Sequence, residues 1–378
     1  MPEYPPVTKI RLKRGFSIDA QGAPEQTIHD AAPARSMAVV VGEELAGPPA
    51  LCVEQGAPIR AGAVLFRASQ HPEIRFTAPV SGRVTAIHRG ARRRLLSVEL
   101  TREGDEAAPK FEAYARESLS SLAADAVRDR LLEAGLWTAL RSRPFGCIPG
   151  PHEVPGAILV TAIDTNPLAC DPAAVIAPRM ADFVDGVRVL GVLAPRLFVC
   201  KSPSLELAAD EITTAKVVEF SGPHPAGLPG THVAHLARAT GNRPVWHLGY
   251  QDVIAIGALF ARGQLSSERV VALGGSGALR PRLLRTEVGA SLDELLAGEV
   301  AGGARVILGS LLGGREADPA TAYIGRYDTQ LTLMDPPVVQ DASRRGALSR
   351  WLGKLLGSST AMLPLEKFER IWPLPQPV

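Results

Sequence analysis

The residues best suited to chemistry lie in one loop, the segment 220–232, which contains His224 and His232 among three prolines and three glycines. An imidazole titrates near neutral pH, so a histidine that faces a ligand can hold or donate a proton there. The segment follows a predicted parallel strand, and open α/β sheets bind their ligands at that end of the strands. The loop is therefore predicted to be either a ligand-facing segment or a stiff crossover whose histidines are exposed.

Other sequence patterns lack residues that their chemistry requires. The run 274–278 resembles a nucleophile elbow, but Ala278 stands in place of its last glycine. The same run does not match the glycine-rich loop that binds dinucleotides, because Arg280 occupies the position of the third glycine. His232 and His235 form a close pair, yet they lack the glutamate of a zinc-protease motif. The sequence therefore predicts no catalytic residue and no metal site.

The cysteines, Cys52, Cys147, Cys170 and Cys200, are spread along the chain without the close spacing of zinc or iron–sulfur ligands. Free cysteine is commonly buried as a small apolar residue. The cysteines are therefore expected to be buried free thiols.

Composition limits the partners of the chain. With 41 basic and 39 acidic residues its formal charge is +2, which is too small for general binding to nucleic acid. The longest apolar stretches, 157–163 and 187–194, are far shorter than the ~20 residues of a membrane helix. The N-terminus lacks the features of a secretory signal, so a cytoplasmic location without a transmembrane span is expected.

The first part of the chain is predicted to be a β unit. Short apolar runs alternate with glycine-bearing turns, a spacing typical of a compact sandwich or barrel. These runs span 37–41, 64–66, 83–88 and 95–100, and a further strand is predicted at 7–13. The phrases 53–62 and 78–84 resemble the paired hairpins of the barrel-sandwich hybrid fold of biotinyl and lipoyl carriers. The connection 70–75 has no lysine, so a carrier function is not expected.

An α/β unit is predicted next. A helix over 117–133 is followed by Gly135, a typical C-terminal cap. Strand-like runs then alternate with helical stretches, which is typical of a largely parallel, doubly wound sheet. The strand-like runs span 157–163, 196–200, 216–220, 245–248 and 269–273.

A smaller unit and a tail complete the chain. The segment 291–294 has the form of a capping box that opens a short helix, and 305–308 is predicted to be a strand. Beyond Pro336 and Pro337 a basic amphipathic helix is predicted, which either packs on its own protein or docks on a partner or membrane surface. The predicted domains span 1–110, 111–275 and 276–340, with a C-terminal amphipathic tail at 341–378.

The loop and several further phrases identify a family. Residues 221–232, together with 245–257, closely resemble the A subunit of the bacterial Na+-translocating NADH:quinone reductases. The other phrases that agree are 22–26, 76–82, 135–145 and 161–168. The phrases occur in the same order over most of the chain. The family is distantly related to the C subunit of the Rnf complex and to the flavin subunit of complex I.

The resemblance implies a multidomain α/β fold with a barrel-sandwich hybrid β domain, a Rossmann-like doubly wound α/β domain and a small β-grasp, ubiquitin-like domain. It also implies a peripheral subunit on the cytoplasmic side of the bacterial inner membrane. The complex passes electrons from NADH to ubiquinone and exports sodium, and its FAD, FMN, riboflavin and Fe–S centres belong to other subunits. This chain is therefore expected to bind no redox cofactor, to be non-catalytic alone, and to contact the other subunits, especially the membrane-bound B subunit.

Two details refine what the resemblance implies. The related flavin subunit holds FMN in a glycine-rich loop, whereas Leu136 and Trp137 stand at the matching place here, so no FMN is expected to bind. The C subunit of the Rnf complex has closely spaced cysteines near its C-terminus, and no cysteine follows Cys200 here. Family members continue beyond the stretch that matches 362–373, so the tail is expected to be shortened.

The resemblance also suggests surfaces of contact. His224 and His232 could donate hydrogen bonds to a carbonyl of ubiquinone, a possible ligand. The quinone- or partner-facing candidates are Phe220, Ser221, Gly222, Pro223, His224, Pro225, Gly227, Gly230, Thr231 and His232. The partner- or membrane-surface candidates in the tail are Arg345, Arg350, Trp351 and Lys354. Two alternatives stay open: a shortened stand-alone paralogue, and a flavin or NAD oxidoreductase domain that lacks the usual glycine fingerprints.

Overall fold

A computed structural model describes residues 7–104, 109–207, 212–241 and 243–335. In these residues the strands are β1 (Thr8–Arg11), β2 (Glu25–Asp30), β3 (Ser36–Val40), β4 (Pro49–Leu51), β5 (Pro58–Ile59), β6 (Val64–Ala68), β7 (Arg75–Thr77), β8 (Gly82–Arg89), β9 (Leu95–Arg102), β10 (Arg141–Arg143), β11 (Ala157–Ala162), β12 (Leu197–Lys201), β13 (Lys216–Ser221), β14 (Val245–Gly249), β15 (Glu268–Gly274), β16 (Arg282–Glu287), β17 (Arg305–Leu308), β18 (Arg315–Glu316) and β19 (Gln330–Met334). The helices are α1 (Ala124–Glu133), α2 (Pro172–Ile176), α3 (Met180–Leu190), α4 (Pro229–Leu236), α5 (Tyr250–Arg262) and α6 (Leu292–Leu295). Turns of 3-10 helix span Ala91–Arg93, Arg116–Ser121, Leu136–Ala139, Ala177–Arg179 and Pro319–Thr321.

The predicted β unit is a pair of antiparallel sheets, here named the β-sandwich unit. One sheet has the order β3-β9-β8-β5 and the other the order β4-β6-β7. Alternate residues point inward, so that Met37, Leu65 and Val98 are fully buried, and the stacked rings of Phe66 and Phe76 lie 4.5 Å apart. The apolar runs predicted from the sequence are therefore confirmed as strands.

The α/β unit is built on a six-stranded sheet with the order β1-β13-β12-β11-β14-β10. Neighbouring strands are parallel except for β10, which runs antiparallel to β14. Ile158 and Val160 on β11 share a core with residues of α3 and α5, whereas Leu159 shares a separate core with residues of α4. Both faces of the sheet are thus covered by helices, and the predicted largely parallel α/β sheet is confirmed.

Helices α3 and α5 cross at very short range because each has a glycine at the crossing. A Cβ on Gly257 would lie 1.8 Å from the carbonyl oxygen of Asp182, and one on Gly186 would lie 2.0 Å from that of Val253. Any larger side chain at either position would push the helices apart. This close packing fixes the start of α5, which supplies residues of the candidate site.

The third part of the chain is a mixed sheet with the order β18-β17-β19-β15-β16-β2, here named the mixed-sheet unit. The predicted strand 305–308 is confirmed as β17. The predicted capping box is wrong in its contacts, because the Ser291 side chain makes no cap hydrogen bond to α6. The Glu294 carboxylate instead accepts hydrogen bonds from the backbone N–H groups of Arg35 (2.6 Å) and Ser36 (2.9 Å) in the β-sandwich unit.

Two other expectations also need correction. The run 269–273 does form a strand, β15, but it lies in the mixed sheet and not in the parallel sheet of the α/β unit. Its buried apolar residues fit either environment, so the sequence pattern could not distinguish them. The predicted helix 117–133 is divided, because Leu122 is extended between the 3-10 turn Arg116–Ser121 and α1.

The first two strands of the chain pair with strands far along the sequence. β1 runs parallel to β13 at the edge of the sheet in the α/β unit, and β2 runs parallel to β16 in the mixed sheet. The amino-terminal segment therefore links both later units before the chain enters the β-sandwich unit. The domain boundaries given above stay a prediction.

A buried charge cluster joins the α/β unit to the mixed-sheet unit. Asp252 on α5 accepts hydrogen bonds from Arg269 Nη2 (2.9 Å) on β15 and from Arg326 Nη1 (3.3 Å) in the loop before β19. The side chains of Asp252 and Arg269 are each only 4% exposed. Charges at such burial are stable only while they stay paired.

We expect Arg269→Met to lower the free energy of unfolding by about 3–5 kcal/mol, because the buried carboxylate would keep only Arg326 as a partner. The matched control is Arg305→Met, which breaks the exposed pair of Arg305 with Glu316 and should leave the free energy of unfolding nearly unchanged. Urea unfolding followed by tryptophan fluorescence measures both. Equal shifts in the two midpoints would contradict the role assigned to the cluster.

Candidate functional site

The α/β sheet has a topological switch point between β11 and β14. These strands are adjacent and parallel, but the chain leaves β11 toward β12 and later returns to place β14 on the opposite side. Sheets of this type bind ligands in the crevice at the carboxyl ends of the two strands. Here the crevice is bounded by the segment 163–167 after β11 and by the start of α5 after β14.

A rigid hydrogen-bonded loop follows β11. Asp164 Oδ1 accepts hydrogen bonds from the backbone N–H and the side-chain Nδ2 of Asn166, both at 2.8 Å. Burial raises the pKa of Asp164 above its ordinary value, although these hydrogen bonds oppose the shift. Thr165 Oγ1 accepts a hydrogen bond from the backbone N–H of Gly227 at 2.9 Å. The loop after β11 is therefore attached to the loop that contains the predicted histidines.

Side chains of the mixed-sheet unit extend to the same edge. Gln330 Nε2 donates a hydrogen bond of 2.7 Å to the carbonyl oxygen of Pro167. Gln26 on β2 accepts one of 2.7 Å from the backbone N–H of Asp171 and donates one of 3.4 Å to the carbonyl of Ala169. Backbone groups next to the crevice are thus satisfied by residues of this chain.

A cavity of about 1090 Å³ lies where the three units meet. Asp252, Arg269 and Arg326 lie along its wall, and the Arg141 guanidinium lies 4.5 Å from the centre of the Tyr327 ring. Tyr327 donates a hydrogen bond to the carbonyl oxygen of Thr138, and its burial raises its pKa. Acidic and basic side chains both line the cavity, so its wall has no excess of one charge.

The segment predicted to exclude FMN is packed tightly inside the protein. Leu136 and Trp137 are each about 1% exposed and lie in the 3-10 turn after Gly135. The Trp137 ring packs edge-on against Trp246 at 5.4 Å, and its Nε1 donates a hydrogen bond of 2.9 Å to the carbonyl of Pro149. Their bulk fills this place as expected, and the absence of FMN stays a prediction.

The thiols near the crevice are poor nucleophiles. Burial raises the pKa of Cys170 to about 12 and also raises that of Cys200, so both are protonated at neutral pH. Tyr250 next to Cys170 is buried, and its pKa is also raised by burial. The prediction of buried free thiols is confirmed for Cys170 and Cys200 but is wrong for Cys52, which is exposed, and Cys147 is half-buried.

The segment 220–232 leaves β13, passes along the loop after β11 and continues into the first turn of α4. A Cβ on Gly227 would lie 2.6 Å from the backbone nitrogen of Thr165, so the approach of the two loops requires glycine. The candidates with exposed or half-buried surface are Ser221, Gly222, Pro223, Pro225 and Gly230. The candidates that are buried are Phe220, His224, Gly227, Thr231 and His232.

Both histidines are held inside the protein. His224 Nδ1 lies 3.2 Å from the carbonyl oxygen of Thr165, and the His224 backbone carbonyl accepts a hydrogen bond from Phe16 N–H. The His232 ring lies 4.4 Å from that of Phe220, and its Nε2 donates to the carbonyl of Ala226 at 2.9 Å. The expectation of a crossover with exposed histidines is therefore wrong, because both rings complete the packing beneath the loop.

Burial keeps both imidazoles neutral. It lowers the pKa of His232 to about 4 and also lowers that of His224, in each case against the effect of a backbone hydrogen bond. His232 Nδ1 is buried without a hydrogen-bond partner in the described part of the protein. A role of these histidines toward a quinone stays a prediction.

Arg345, Arg350, Trp351 and Lys354 lie outside the described residues. Within the described ranges, no group of three or more potential metal-ligating side chains comes together. None of the helices in those ranges combines the length and apolarity needed to cross a membrane.

Sequence reasoning missed the residues that close the site. Asp252, Arg269, Arg326 and Gln330 come from separate elements of the fold, and of these only Asp252 lies in a phrase, 245–257, that the sequence analysis singled out. The usable signal was Asp252, an acidic residue within the otherwise apolar stretch of α5. A buried acid of this kind requires a basic partner, but spacing alone does not identify which one.

Known families match each of the three units. The NqrA N-terminal barrel-sandwich hybrid domain matches residues 10–103. The NqrA second alpha/beta domain matches residues 122–265, and the NQRA C-terminal domain matches residues 270–318. The barrel-sandwich hybrid and α/β parts of the predicted fold are thereby confirmed.

Similar proteins cover nearly the whole chain. The A subunit of the Na(+)-translocating NADH-quinone reductase of Pseudomonas aeruginosa PAO1 is 44% identical over 386 residues, which is 97% of this chain and 86% of that protein. The proteins of the same name from Shewanella amazonensis and Neisseria meningitidis serogroup A are each 42% identical over 388 residues, with the same coverage.

The likeness to one solved structure is weak. A chain of an NAD+-reducing NiFe hydrogenase in the air-oxidized state aligns with a TM-score of 0.41 and 14% identity, covering 61% of this chain and 52% of that chain. This value is too low to inform either fold or function.

The family matches follow one another in the same order as the three units, and the relatives agree along almost the full length. The chain belongs to the family formed by the A subunits of Na+-translocating NADH-quinone reductases.

Proposed function

We propose that the chain is the peripheral, non-catalytic A subunit of a sodium-exporting NADH:ubiquinone reductase, attached to the cytoplasmic side of the inner membrane through the other subunits. Similarity over 97% of the chain to proteins of that name carries the proposal. The structure is consistent with it, since the crevice of the α/β sheet is bordered by hydrogen bonds within the chain. In this role the subunit contributes to assembly of the complex and to access of quinone, and it does not carry out a redox step itself.

The proposal includes finer assignments of fold. The switch point between β11 and β14 supports a Rossmann-like label for the α/β unit. The mixed sheet with the short helix α6 supports a β-grasp label for the third unit. These labels relate the chain to nucleotide-binding folds, whereas function depends on the residues at the site.

We also propose that this chain holds no redox cofactor. Leu136 and Trp137 fill the place where bare glycine backbone would approach a phosphate. The buried thiols, Cys170 and Cys200, are protonated and far from any cluster-binding pattern. The flavins and iron–sulfur centres of the complex then reside in other subunits.

The exposed edge of the segment 220–232 is the proposed surface toward the membrane-bound B subunit and ubiquinone. Its surface residues, including Pro223 and Gly230, lie above a buried layer that contains His224 and His232. Such a layer keeps the loop in one conformation, which reduces the entropy lost when a partner binds. In this arrangement the histidines act as positioning residues beneath the surface.

The first test is recovery of partners. We expect the tagged chain, purified from membranes in mild detergent, to bring down the other subunits together with sodium-stimulated NADH:quinone activity. Gly230→Glu should reduce that recovery severalfold, because it places a charge on the proposed surface at a position where a side chain meets no other atom.

The matched control for this test is Gly302→Glu in the mixed-sheet unit, which also has open space around it and should leave recovery unchanged. Recovery of the unaltered chain alone would contradict the proposed function. Equal recovery with both variants would contradict only the proposed loop surface.

A second test concerns cofactors. The purified chain is expected to be colourless, and it should stay so after incubation with FMN and gel filtration, because the buried side chains of Leu136 and Trp137 stand where a flavin-binding loop would present bare glycine backbone to the phosphate. Absorbance spectroscopy together with flavin release by acid measures this. A yellow chromophore in a one-to-one ratio would refute the cofactor-free role.

The third test distinguishes a buried His232 from one that faces solvent. Its pKa of about 4 lies below the ordinary value of ~6.5, so the unfolded chain binds a proton before the folded one does. The stability that the protein gains by keeping the His232 imidazole neutral is fully present above pH 6.5 and is lost as the pH falls toward 4. Between pH 7.5 and 5 the loss should reach about 2 kcal/mol.

His232→Gln is expected to remove this part of the pH dependence while it keeps a donor near Ala226. His152→Gln, which changes an exposed histidine, should leave it intact. Urea unfolding midpoints of the unaltered chain and both variants, measured at pH 7.5 and pH 5, test this expectation. Identical pH dependence in all three proteins would show that His232 is solvated.

A further inference from the structure

The hairpin that joins β8 to β9 ends in a dense group of arginines. Arg89, Arg92, Arg93 and Arg94, here named the arginine tip, occur within six consecutive residues, and all four are exposed. The chain as a whole has a formal charge of only +2. The tip is therefore a local concentration of positive charge that the overall composition does not predict.

The tip projects beyond its own sheet. The Val41 N–H donates a hydrogen bond to the Leu96 carbonyl of β9, and the pairing of β8 with β9 ends at Arg89 opposite Leu95, so that residues 90–94 extend beyond the paired strands. The turn itself is fixed by backbone hydrogen bonds, of which Gly90 N–H to the Arg94 carbonyl is 2.8 Å long. The guanidinium of Arg89 also donates to the Arg93 carbonyl at 3.0 Å.

The backbone of the turn does not favour arginine. Arg92 and Arg93 have φ angles of 55° and 58°, in the left-handed region that glycine and asparagine adopt most easily. A side chain with a Cβ is unfavourable there, and turns of this kind usually contain glycine, asparagine or aspartate. Folding alone would therefore select different residues at these two positions.

No carboxylate compensates these charges within the described residues. None of the ion pairs there includes Arg92, Arg93 or Arg94. Arg83, Arg285 and Arg305, by contrast, each pair with a carboxylate at the surface. The guanidinium groups of Arg92 and Arg93 are thus available to an external anion, and Arg94 beside them also lines the cavity where the three units meet.

We infer that the arginine tip binds the anionic phospholipid surface of the membrane beside the complex. The inference rests on the proposed function, which puts the chain next to that membrane. Guanidinium groups bind phosphate through two parallel hydrogen bonds, and a rigid convex tip can reach a flat layer of headgroups. Each basic residue near such a surface raises affinity about fivefold.

An acidic protein surface fits the tip less well. Protein interfaces depend on apolar or aromatic anchors at their centre, with charged residues mostly at the rim. The tip offers Ala91 only, since the neighbouring Leu95 is 4% exposed and belongs to the core. Charge without an apolar anchor is typical of contact with headgroups rather than with a folded partner.

Sedimentation of the full chain with vesicles tests the inference. The vesicles are of phosphatidylcholine, with or without phosphatidylglycerol at about one lipid in three. We expect binding only to the anionic vesicles, weakening as salt is added. Loss of three such residues would weaken binding roughly a hundredfold without salt, and salt screening reduces this effect. The variant Arg92→Gln/Arg93→Gln/Arg94→Gln should therefore bind the anionic vesicles at least tenfold more weakly than the unaltered chain.

The control removes the same charge at paired sites, Arg83→Gln/Arg285→Gln/Arg305→Gln, and should change binding less than about twofold. A second variant, Arg92→Asn/Arg93→Asn, suits the left-handed backbone and should keep or raise Tm while binding weakens. Loss of binding without loss of stability separates lipid contact from a folding defect.

Three outcomes would overturn the inference. In the first, the unaltered chain shows no preference for anionic vesicles. In the second, the tip variant and the control lose the same amount of vesicle binding. In the third, the tip variant binds vesicles as before but no longer recovers the other subunits. The last outcome would identify a protein partner for the tip. Failure of the proposed function is seen separately, as failure of the unaltered chain to recover those subunits at all.

Discussion

The arrangement of the units depends on one buried carboxylate. Asp252 lies at the start of α5, and its Oδ1 accepts hydrogen bonds from Arg269 in β15 and from Arg326 in the loop before β19. Removing these charges from water is costly, so the cluster is tolerable only when all three groups meet. Helix α5, strand β15 and the loop before β19 must therefore hold one relative position. The contact of Tyr327 with Thr138 and that of Gln330 with Pro167 occur in the same loop and strand.

The same fixed arrangement supports the proposed cofactor-free role of the chain. The switch point between β11 and β14 is the usual place for a ligand, but the backbone around it is bonded to Gln26 and Gln330 of the mixed-sheet unit. At the neighbouring turn, Leu136 and Trp137 fill space that a phosphate-binding loop would leave open. This packing is the structural support for the proposal that the chain holds no redox cofactor. A protein of this kind would act through its outer surfaces.

The sequence predicted the elements better than their arrangement. Apolar runs identified the strands of the sandwich and of the parallel sheet, because burial on one or both faces leaves a direct pattern. The same pattern could not show that β15 belongs to the mixed sheet, because a strand buried on both faces has the same apolar sequence in the parallel sheet and in the mixed sheet. The histidines of the segment 220–232 were harder, because imidazole suits both a wet crevice and a packed interior. The packing of Phe220 against His232 and the contact of His224 with the Thr165 carbonyl show that both rings are in the packed interior, and neither contact can be read from the sequence.

Some arginines of this chain have partners within the fold, and others do not. Arg102 bonds Glu287 across the joint of the β-sandwich and mixed-sheet units, and Arg269 and Arg326 hold Asp252, so these guanidinium groups have structural partners. Their planar forks satisfy buried carboxylates in a way that lysine does not. Arg92 and Arg93 are different, because they have no carboxylate partner in the described structure and lie in a backbone conformation that disfavours them. A residue that is unfavourable for the fold and unpaired within it is best explained by something outside the chain. For a rigid basic tip without an apolar anchor, that something is an anionic surface.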